Sequence, residues 1–137
     1  MNQGESLATI SYGIGILPPT HEICATHPHV IQPWYADDAS AGGKFADIQE
    51  HMREMMVLGP LQGYSPEPTK SILVVSPRVV LKAEEYFRGM GVRVVSGICY
   101  LGGFIGDPVS EDAWLDEKLK GWRELVEVLE GVALRHL

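Results

Sequence analysis

The stretch that decides the fold is Val30-Ile31-Gln32-Pro33-Trp34-Tyr35-Ala36-Asp37-Asp38-Ala39-Ser40-Ala41-Gly42-Gly43. It begins with an apolar run that is typical of a strand, passes through a compact polar segment and ends in two glycines. Pro33 removes one donor from the strand ladder, which indicates an edge strand or a bulge. The pattern predicts a β-hairpin over residues 30–43, with the carboxylates of Asp37 and Asp38 at its tip.

The two neighbouring aspartates carry the first chemical signal. Neighbouring side chains share a direction only where a turn breaks the alternation of a strand, and a hairpin tip supplies that break. Two close carboxylates repel each other unless one takes up a proton or a cation neutralises them, and their hard oxygen atoms favour Mg²⁺ or Mn²⁺ over zinc. Two such ions can activate a hydroxyl and stabilise departing pyrophosphate. Asp-Asp is also a common turn dipeptide, and by itself the pair favours that plain interpretation.

Helical and strand patterns flank the hairpin. A helix is predicted over residues 5–17, ended by Pro18-Pro19, with a loop over 21–28. A second helix is predicted from Phe45 to Gly59-Pro60. The prolines within 63–70 exclude a helix there. A strand is then predicted over 72–75, followed by a helix that begins at Ser76-Pro77 and ends at Gly89.

The last part of the chain is predicted to hold paired strands over 92–95 and 98–105, which turn near Ser96-Gly97. A final amphipathic helix is indicated by apolar residues that alternate steps of four and three: Leu115, Leu119, Trp122, Val126, Leu129 and Ala133. The order α, β-hairpin, α, β, α, β, β, α predicts an α+β domain with an antiparallel sheet, helices on one face and a C-terminal amphipathic helix.

Composition limits the classes of function. The chain has 137 residues, of which 45% are hydrophobic and 21% charged, as in one globular domain. No apolar run is long enough for a membrane span and residues 1–5 lack a basic signal region, so we expect an intracellular location, in cytoplasm or nucleus. Cys24 and Cys99 form no CxxC pair and are expected to be buried or neutral thiols. The net charge of −7 argues against tight unaided binding of nucleic acid.

Other candidate sites have simpler interpretations. Four residues of types that can bind zinc precede the hairpin: His21, Cys24, His27 and His29. Their spacing matches no standard zinc site, so they are expected to be incidental loop residues. Trp114 and Trp122 lie on an amphipathic pattern and are expected in a core or an interface rather than stacked on bases.

Four motifs resemble those of one family. Tyr35-Ala36-Asp37-Asp38 resembles the YxDD box of reverse transcriptases. Upstream, Gln3-Gly4-Glu5-Ser6-Leu7-Ala8 resembles motif B, with Ser6 where proline is usual. Downstream, Gly63-Tyr64 through Thr69-Lys70-Ser71 resembles motif D, and Tyr100-Leu101-Gly102-Gly103-Phe104 resembles the motif E hairpin. The motifs follow the family's order over nearly the whole chain, which therefore resembles the palm of a retrotransposon reverse transcriptase, most like the non-long-terminal-repeat or tyrosine-recombinase types.

The resemblance implies a palm-type antiparallel sheet, a partial palm over residues 1–106, and a C-terminal helix over 107–137 at the start of the thumb or connection. Asp37 and Asp38 would be catalytic metal ligands for Mg²⁺ or Mn²⁺, and Lys70 would assist the leaving pyrophosphate. The incoming nucleotide, template and primer terminus would lie against Gln3, Gly4 and Tyr35. The primer end would rest on the primer grip: Leu101, Gly102 and Gly103.

The family carries a further metal-binding aspartate and fingers before motif B, and only Met1 and Asn2 precede Gln3 here. The expectation is two-metal nucleotidyl transfer on template-primer and dNTP in the intact enzyme. The chain alone is expected to be inactive, to hold Mg²⁺ and nucleic acid weakly, and to self-associate through the open edge of the hairpin. The alternatives are a non-enzymatic interaction protein with a palm fold, a decayed retroelement remnant, and a small metal-dependent phosphodiesterase.

Overall fold

The computed structural model describes residues 8–35 and 38–133. The chain divides into two compact units, Met1–Pro68 and Thr69–Leu137. The first unit contains α1 (Ala8–Thr26), β1 (Trp34–Tyr35), β2 (Asp38–Ala39) and α2 (Phe45–Leu61). The second contains β3 (Ile72–Val74), α3 (Val80–Tyr86), β4 (Arg93–Val95), β5 (Gly97–Tyr100), β6 (Gly103–Gly106) and α4 (Pro108–Ala133). The predicted α+β class and the C-terminal helix are confirmed.

The described strands pair as three two-stranded ladders. β1 with β2 and β5 with β6 are antiparallel, as expected, whereas β3 with β4 is parallel. The prediction that residues 92–95 pair with 98–105 is wrong, because only Ser96 separates β4 from β5 and one residue cannot reverse a ladder. The chain instead reverses at Leu101-Gly102, and α3 provides the crossover that a parallel pair requires.

The antiparallel hairpin predicted over residues 30–43 is confirmed for its described residues, 30–35 and 38–43. Asp38 is the first residue of β2, and Asp37 lies outside the described residues. Trp34 is opposite Ala39 and Tyr35 is opposite Asp38. The same register continues outward, where Ile31 and Gly42 exchange two backbone hydrogen bonds of 2.8 Å. Pro33 interrupts this ladder without shifting it, because its carbonyl still accepts a bond from the N–H of Ser40 at 3.0 Å. Pro33 therefore removes one backbone donor from the ladder but does not form a bulge.

The prediction that α1 stops at Pro18-Pro19 is wrong, since the helix continues through both prolines to Thr26. Proline has a helical φ, and its cost lies in the missing N–H and in the clash of its ring with the preceding turn. Ile23 lies beyond the prolines, is only 1% exposed and anchors the part of α1 that packs against α2. We attribute the continuation to this packing, and most of the predicted loop over 21–28 is helical as a result.

The second helix begins at Phe45, as predicted, and runs through Gly59-Pro60 to Leu61. Gly59 is buried where the chain folds back on it, and its carbonyl accepts bonds from the N–H groups of Gln62 and Tyr64, both 2.9 Å long. A Cβ at Gly59 would lie 2.6 Å from the Tyr64 carbonyl oxygen. The position therefore requires glycine for close approach.

The helix predicted from Ser76-Pro77 begins with a 3₁₀ turn over Pro77–Val79, continues as α3 and ends at Tyr86, before Gly89. The side chain of Ser76 makes no capping bond. Ala83 and Phe87 are buried and hold this helix in the second unit. A second 3₁₀ turn spans Pro68–Lys70, within residues 63–70, where the prolines were expected to exclude a helix.

Asp107 caps α4, and Pro108 occupies the first position of the helix, where its missing N–H is not needed. The N–H of Asp107 donates to the Ser96 carbonyl at 3.0 Å, which attaches the start of the helix to the β4–β5 connection. Trp114 packs on Phe104 of β6 with ring centroids 5.8 Å apart. The first turns of α4 are thus part of the second unit.

Candidate functional site

The outer face of the β1–β2 hairpin presents an aromatic ring and a carboxylate together. Tyr35 and Asp38 are direct partners in the register, and such partners point to the same side of a ladder with Cβ atoms about 5 Å apart. Tyr35 is 62% exposed, and Asp38 is also exposed. Tyr35 therefore lies on the surface of the hairpin and not in a core.

Trp34 holds the opposite face of the hairpin. Its ring meets that of Tyr64 edge-on, with centroids 5.5 Å apart and planes at 64°. The Trp34 indole N–H is buried and has no hydrogen-bond partner among the described residues. This packing fixes which face of the short hairpin is turned inward, and so leaves Tyr35 and Asp38 on the open face.

The remaining predicted site residues are divided between the described and the undescribed parts of the chain. Gln3, Gly4 and Asp37 are outside the described residues. Lys70 is exposed, ends the 3₁₀ turn Pro68–Lys70 and is separated from β3 by Ser71 alone, the position expected of a lysine before a strand. Lys70 belongs to the second unit, whereas Tyr35 and Asp38 belong to the first.

The predicted primer grip is a two-residue hairpin loop. Leu101 and Gly102 connect β5 to β6 with φ angles of 49° and 82°, and two positive φ angles define a type I′ turn. Gly103 pairs with Tyr100 next to the loop. Leucine is an unusual residue for the left-handed region, because its Cβ crowds the carbonyl that follows. Leu101 is also 57% exposed, so the burial of its side chain offsets little of this strain.

The described residues do not complete a metal site. Asp38 is a hard oxygen donor of the kind that Mg²⁺ accepts. Within residues 8–35 and 38–133, however, no group of three or more His, Cys, Asp or Glu side chains could hold an ion. The donor type fits Mg²⁺ or Mn²⁺, but the described residues alone supply too few donors, and Asp37 lies outside them. Cys24 and Cys99, expected to be buried or neutral, are both exposed thiols.

A cluster of titratable residues that the sequence did not indicate lies between α1 and α2. His27 Nε2 lies 2.5 Å from Glu54 Oε2, and the same oxygen accepts a bond from the Thr26 hydroxyl at 3.2 Å. His51 is buried at 5% exposure and meets the His27 ring edge-on. His51 and Glu54 are three residues apart and so lie on one face of α2. The contact between His51 and His27 joins residues 24 positions apart, and no local sequence pattern indicates it.

Burial lowers the pKa of His51 below its ordinary value of 6.5, and the neighbouring His27 lowers it further, while Glu54 raises it. The neutral imidazole is therefore the form that fits this site. Its Nδ1 atom is buried without a hydrogen-bond partner in the described part of the chain. The arrangement ties the end of α1 to α2 and has the character of a structural clamp.

Comparison of the chain with protein-family models, with curated proteins and with solved structures finds no match. Among the described helices, none has both the length and the apolar character needed to cross a bilayer.

Proposed function

We propose that this chain is the central palm segment of an RNA-directed DNA polymerase of retroelement type, and that the open face of the β1–β2 hairpin is part of its catalytic centre. The observation that carries the proposal is the pairing of exposed Tyr35 with exposed Asp38 beside a two-residue connection. In the YxDD motif, this register places the aromatic ring of Tyr35 beside the carboxylate of Asp38. The proposed catalytic centre needs both groups, the ring to contact the primer terminus and the carboxylate to contact a metal ion.

The β5–β6 hairpin gives independent support. Leu101 adopts a strained φ although asparagine or glycine would fit the turn without strain, and strained residues of this kind concentrate at functional sites. The same loop is the segment whose sequence resembles a primer grip. An exposed leucine followed by Gly102 and Gly103 offers an apolar contact and open backbone to a nucleic-acid strand.

The chemistry proposed for the intact enzyme is nucleotidyl transfer with two divalent ions. The Asp37–Asp38 pair is the share of the metal site that this sequence contains, and complete coordination requires further oxygen ligands. Lys70 is proposed to assist the leaving pyrophosphate. Binding of Mg²⁺ or Mn²⁺ by the chain alone should be weak, and the net charge of −7 should keep nucleic-acid binding weak as well.

Calorimetric titration with Mn²⁺ tests the metal site. The chain should bind Mn²⁺ weakly, and Asp37→Asn and Asp38→Asn should each abolish the binding heat. The matched control is Asp47→Asn, which changes an aspartate in the first turn of α2 of the same unit and should leave the titration unchanged. Equal binding by the original chain and by the Asp37→Asn, Asp38→Asn double variant would refute the proposed site.

A primer-extension assay tests the activity expected of the chain alone. No extension of an annealed primer is expected with either ion, because the carboxylate pair is an incomplete ligand set. Template-dependent extension that Asp37→Asn abolishes would show instead that the chain is a self-sufficient polymerase.

A non-enzymatic interaction protein is the second candidate, and the exposed apolar side chains of α4 favour it. A scaffold has no need of a cation, so the same calorimetric titration separates it from the polymerase segment. A small phosphodiesterase would be distinguished by hydrolysis of a model phosphodiester in the absence of primer.

A further inference from the structure

One face of α4 is apolar and open along most of the helix. We call five of its residues the α4 stripe, and each is between 42% and 63% exposed: Leu115, Leu119, Trp122, Val126 and Leu129. Trp114, which packs on Phe104, is a neighbour of the stripe and not a member of it. A continuous row of large apolar side chains in contact with water is unfavourable and marks a surface that binds a partner.

The spacing of the stripe identifies the geometry of that partner. Its members alternate steps of four and three, the repeat with which one helix packs along another in a coiled coil. Charged residues flank the stripe on both sides. Asp116, Arg123 and Glu130 lie along one flank. Glu111 and Lys118 lie along the other, which continues with the apolar Leu125 and Val132.

A parallel pairing of two α4 helices is disfavoured by these charges. In a parallel pair, a residue on the flank of Glu111 and Lys118 faces the residue whose number is five higher, on the other flank of the second helix. Glu111 would then face Asp116 of the second copy, and Lys118 would face Arg123. Both contacts bring like charges together, on each side of the pair.

An antiparallel pairing reverses the sign of these contacts. We place the two-fold axis level with the midpoint between Leu119 and Trp122. Leu119 then lies beside Trp122 of the second copy, and Leu115 lies beside Val126 of the second copy. Asp116 then lies within two residues, or about 3 Å of helix rise, of the level of Arg123 on the same flank of the second copy. The symmetry produces this attractive pair twice.

We propose that α4 is a homodimerisation surface on which the α4 stripe of a second copy of this chain packs antiparallel, with Asp116 and Arg123 forming reciprocal ion pairs. This inference is independent of the polymerase proposal. It also differs from association through the hairpin edge, because it assigns the contact to the second unit and gives it a defined direction.

Charge reversal tests both the surface and the direction. Asp116→Arg and Arg123→Asp should each weaken self-association about tenfold in sedimentation equilibrium, because each variant replaces two attractive contacts with two repulsive ones. An equimolar mixture of the two variants should associate again as a heterodimer, since every Arg then meets an Asp. A parallel pairing predicts the opposite result, in which each single reversal strengthens self-association.

Two control variants carry equivalent charge changes on the outer side of the helix. Glu117→Arg and Lys120→Asp lie away from the proposed contact and should associate like the original chain. Leu119→Asp should give a monomer whose circular dichroism retains the helix content, because Leu119 is exposed within the single chain. A chain that stays monomeric at high concentration, or one whose association Leu119→Asp leaves unchanged, would overturn the proposal.

Discussion

The imidazole of His51 meets the ring of His27 edge-on, with centroids 5.5 Å apart and planes at 90°. His51 is held there on α2, away from water, and burial is the main reason that its pKa is lowered. A histidine whose pKa is lowered in the folded state binds a proton more readily in the unfolded state. Its contribution to stability is therefore present above the ordinary value of 6.5 and is lost as the pH falls below it.

Acidification should accordingly destabilise the first unit. We expect the free energy of unfolding to fall as the pH drops below about 6.5, by at most about 1.4 kcal/mol per pH unit for this one proton. His51→Leu should remove that part of the pH dependence while it fills a similar volume. Chemical denaturation at a series of pH values measures both effects. An unaltered slope in His51→Leu would contradict the assignment.

Leu101→Asn should stabilise the second unit. Asparagine tolerates the left-handed φ that leucine adopts with strain, and the leucine side chain is 57% exposed, so little burial is lost. The expected gain is about 0.5–1 kcal/mol in denaturant unfolding. Ile105→Asn in β6 makes a similar chemical change at a strand position that is 50% exposed, and it should destabilise instead. A loss of stability in Leu101→Asn would mean that contacts of Leu101 outweigh its backbone strain.

The parts of the fold that were predictable are those with local signatures. Residues 30–43 determine their own hairpin, because an apolar run, a polar turn and two glycines lie within one short segment. The step pattern from Leu115 onward likewise marks α4. Packing at a distance decided the parts that failed. Ile23 stabilises α1 beyond its prolines by contact with α2, and the pairing of β3 with β4 depends on how α3 crosses between them.

The candidate site divides in the same way. The exposure of Tyr35 follows from Trp34 facing inward, and that orientation depends on Tyr64, which is 30 positions along the chain from Trp34. A strand pattern as short as β1 cannot indicate which of two adjacent aromatic residues is buried. The clamp of His27 and Glu54 could not be predicted, because its two residues are 27 positions apart in the sequence and match no metal or catalytic spacing.

Two glycines should respond oppositely to the same substitution. Gly106 is paired with Gly97 at the end of the β5–β6 ladder, and a Cβ there would lie 2.6 Å from the Ser96 carbonyl oxygen. Gly106→Ala should therefore destabilise by about 1–3 kcal/mol. Gly121 lies in α4 with nothing within 4 Å of an added Cβ, so Gly121→Ala should stabilise by about 0.5–1 kcal/mol. Thermal melts followed by circular dichroism compare the two variants, and equal shifts of the same sign would contradict this account.

Asp107 caps the start of α4 with both of its carboxylate oxygens. Asp107 Oδ1 accepts bonds from the N–H groups of Val109 and Ser110, both at 3.2 Å, and Oδ2 accepts the Ser110 hydroxyl at 2.6 Å. The bond from the Ser110 hydroxyl is the main reason that the pKa of Asp107 lies below its ordinary value of 3.8. The stabilisation from the charged cap is therefore present above that value and is lost as the pH falls through the lowered pKa.

Asp107→Ala should lower the melting temperature and the helix content at neutral pH, because three donors at the helix start lose their acceptor. Asp107→Asn keeps one acceptor oxygen and should lose less. The difference in melting temperature between the original chain and Asp107→Ala should shrink in strong acid, where the carboxyl is protonated. Melts of the three proteins at neutral and acid pH measure this difference, and a gap that stays constant with pH would show that the cap acts without its charge.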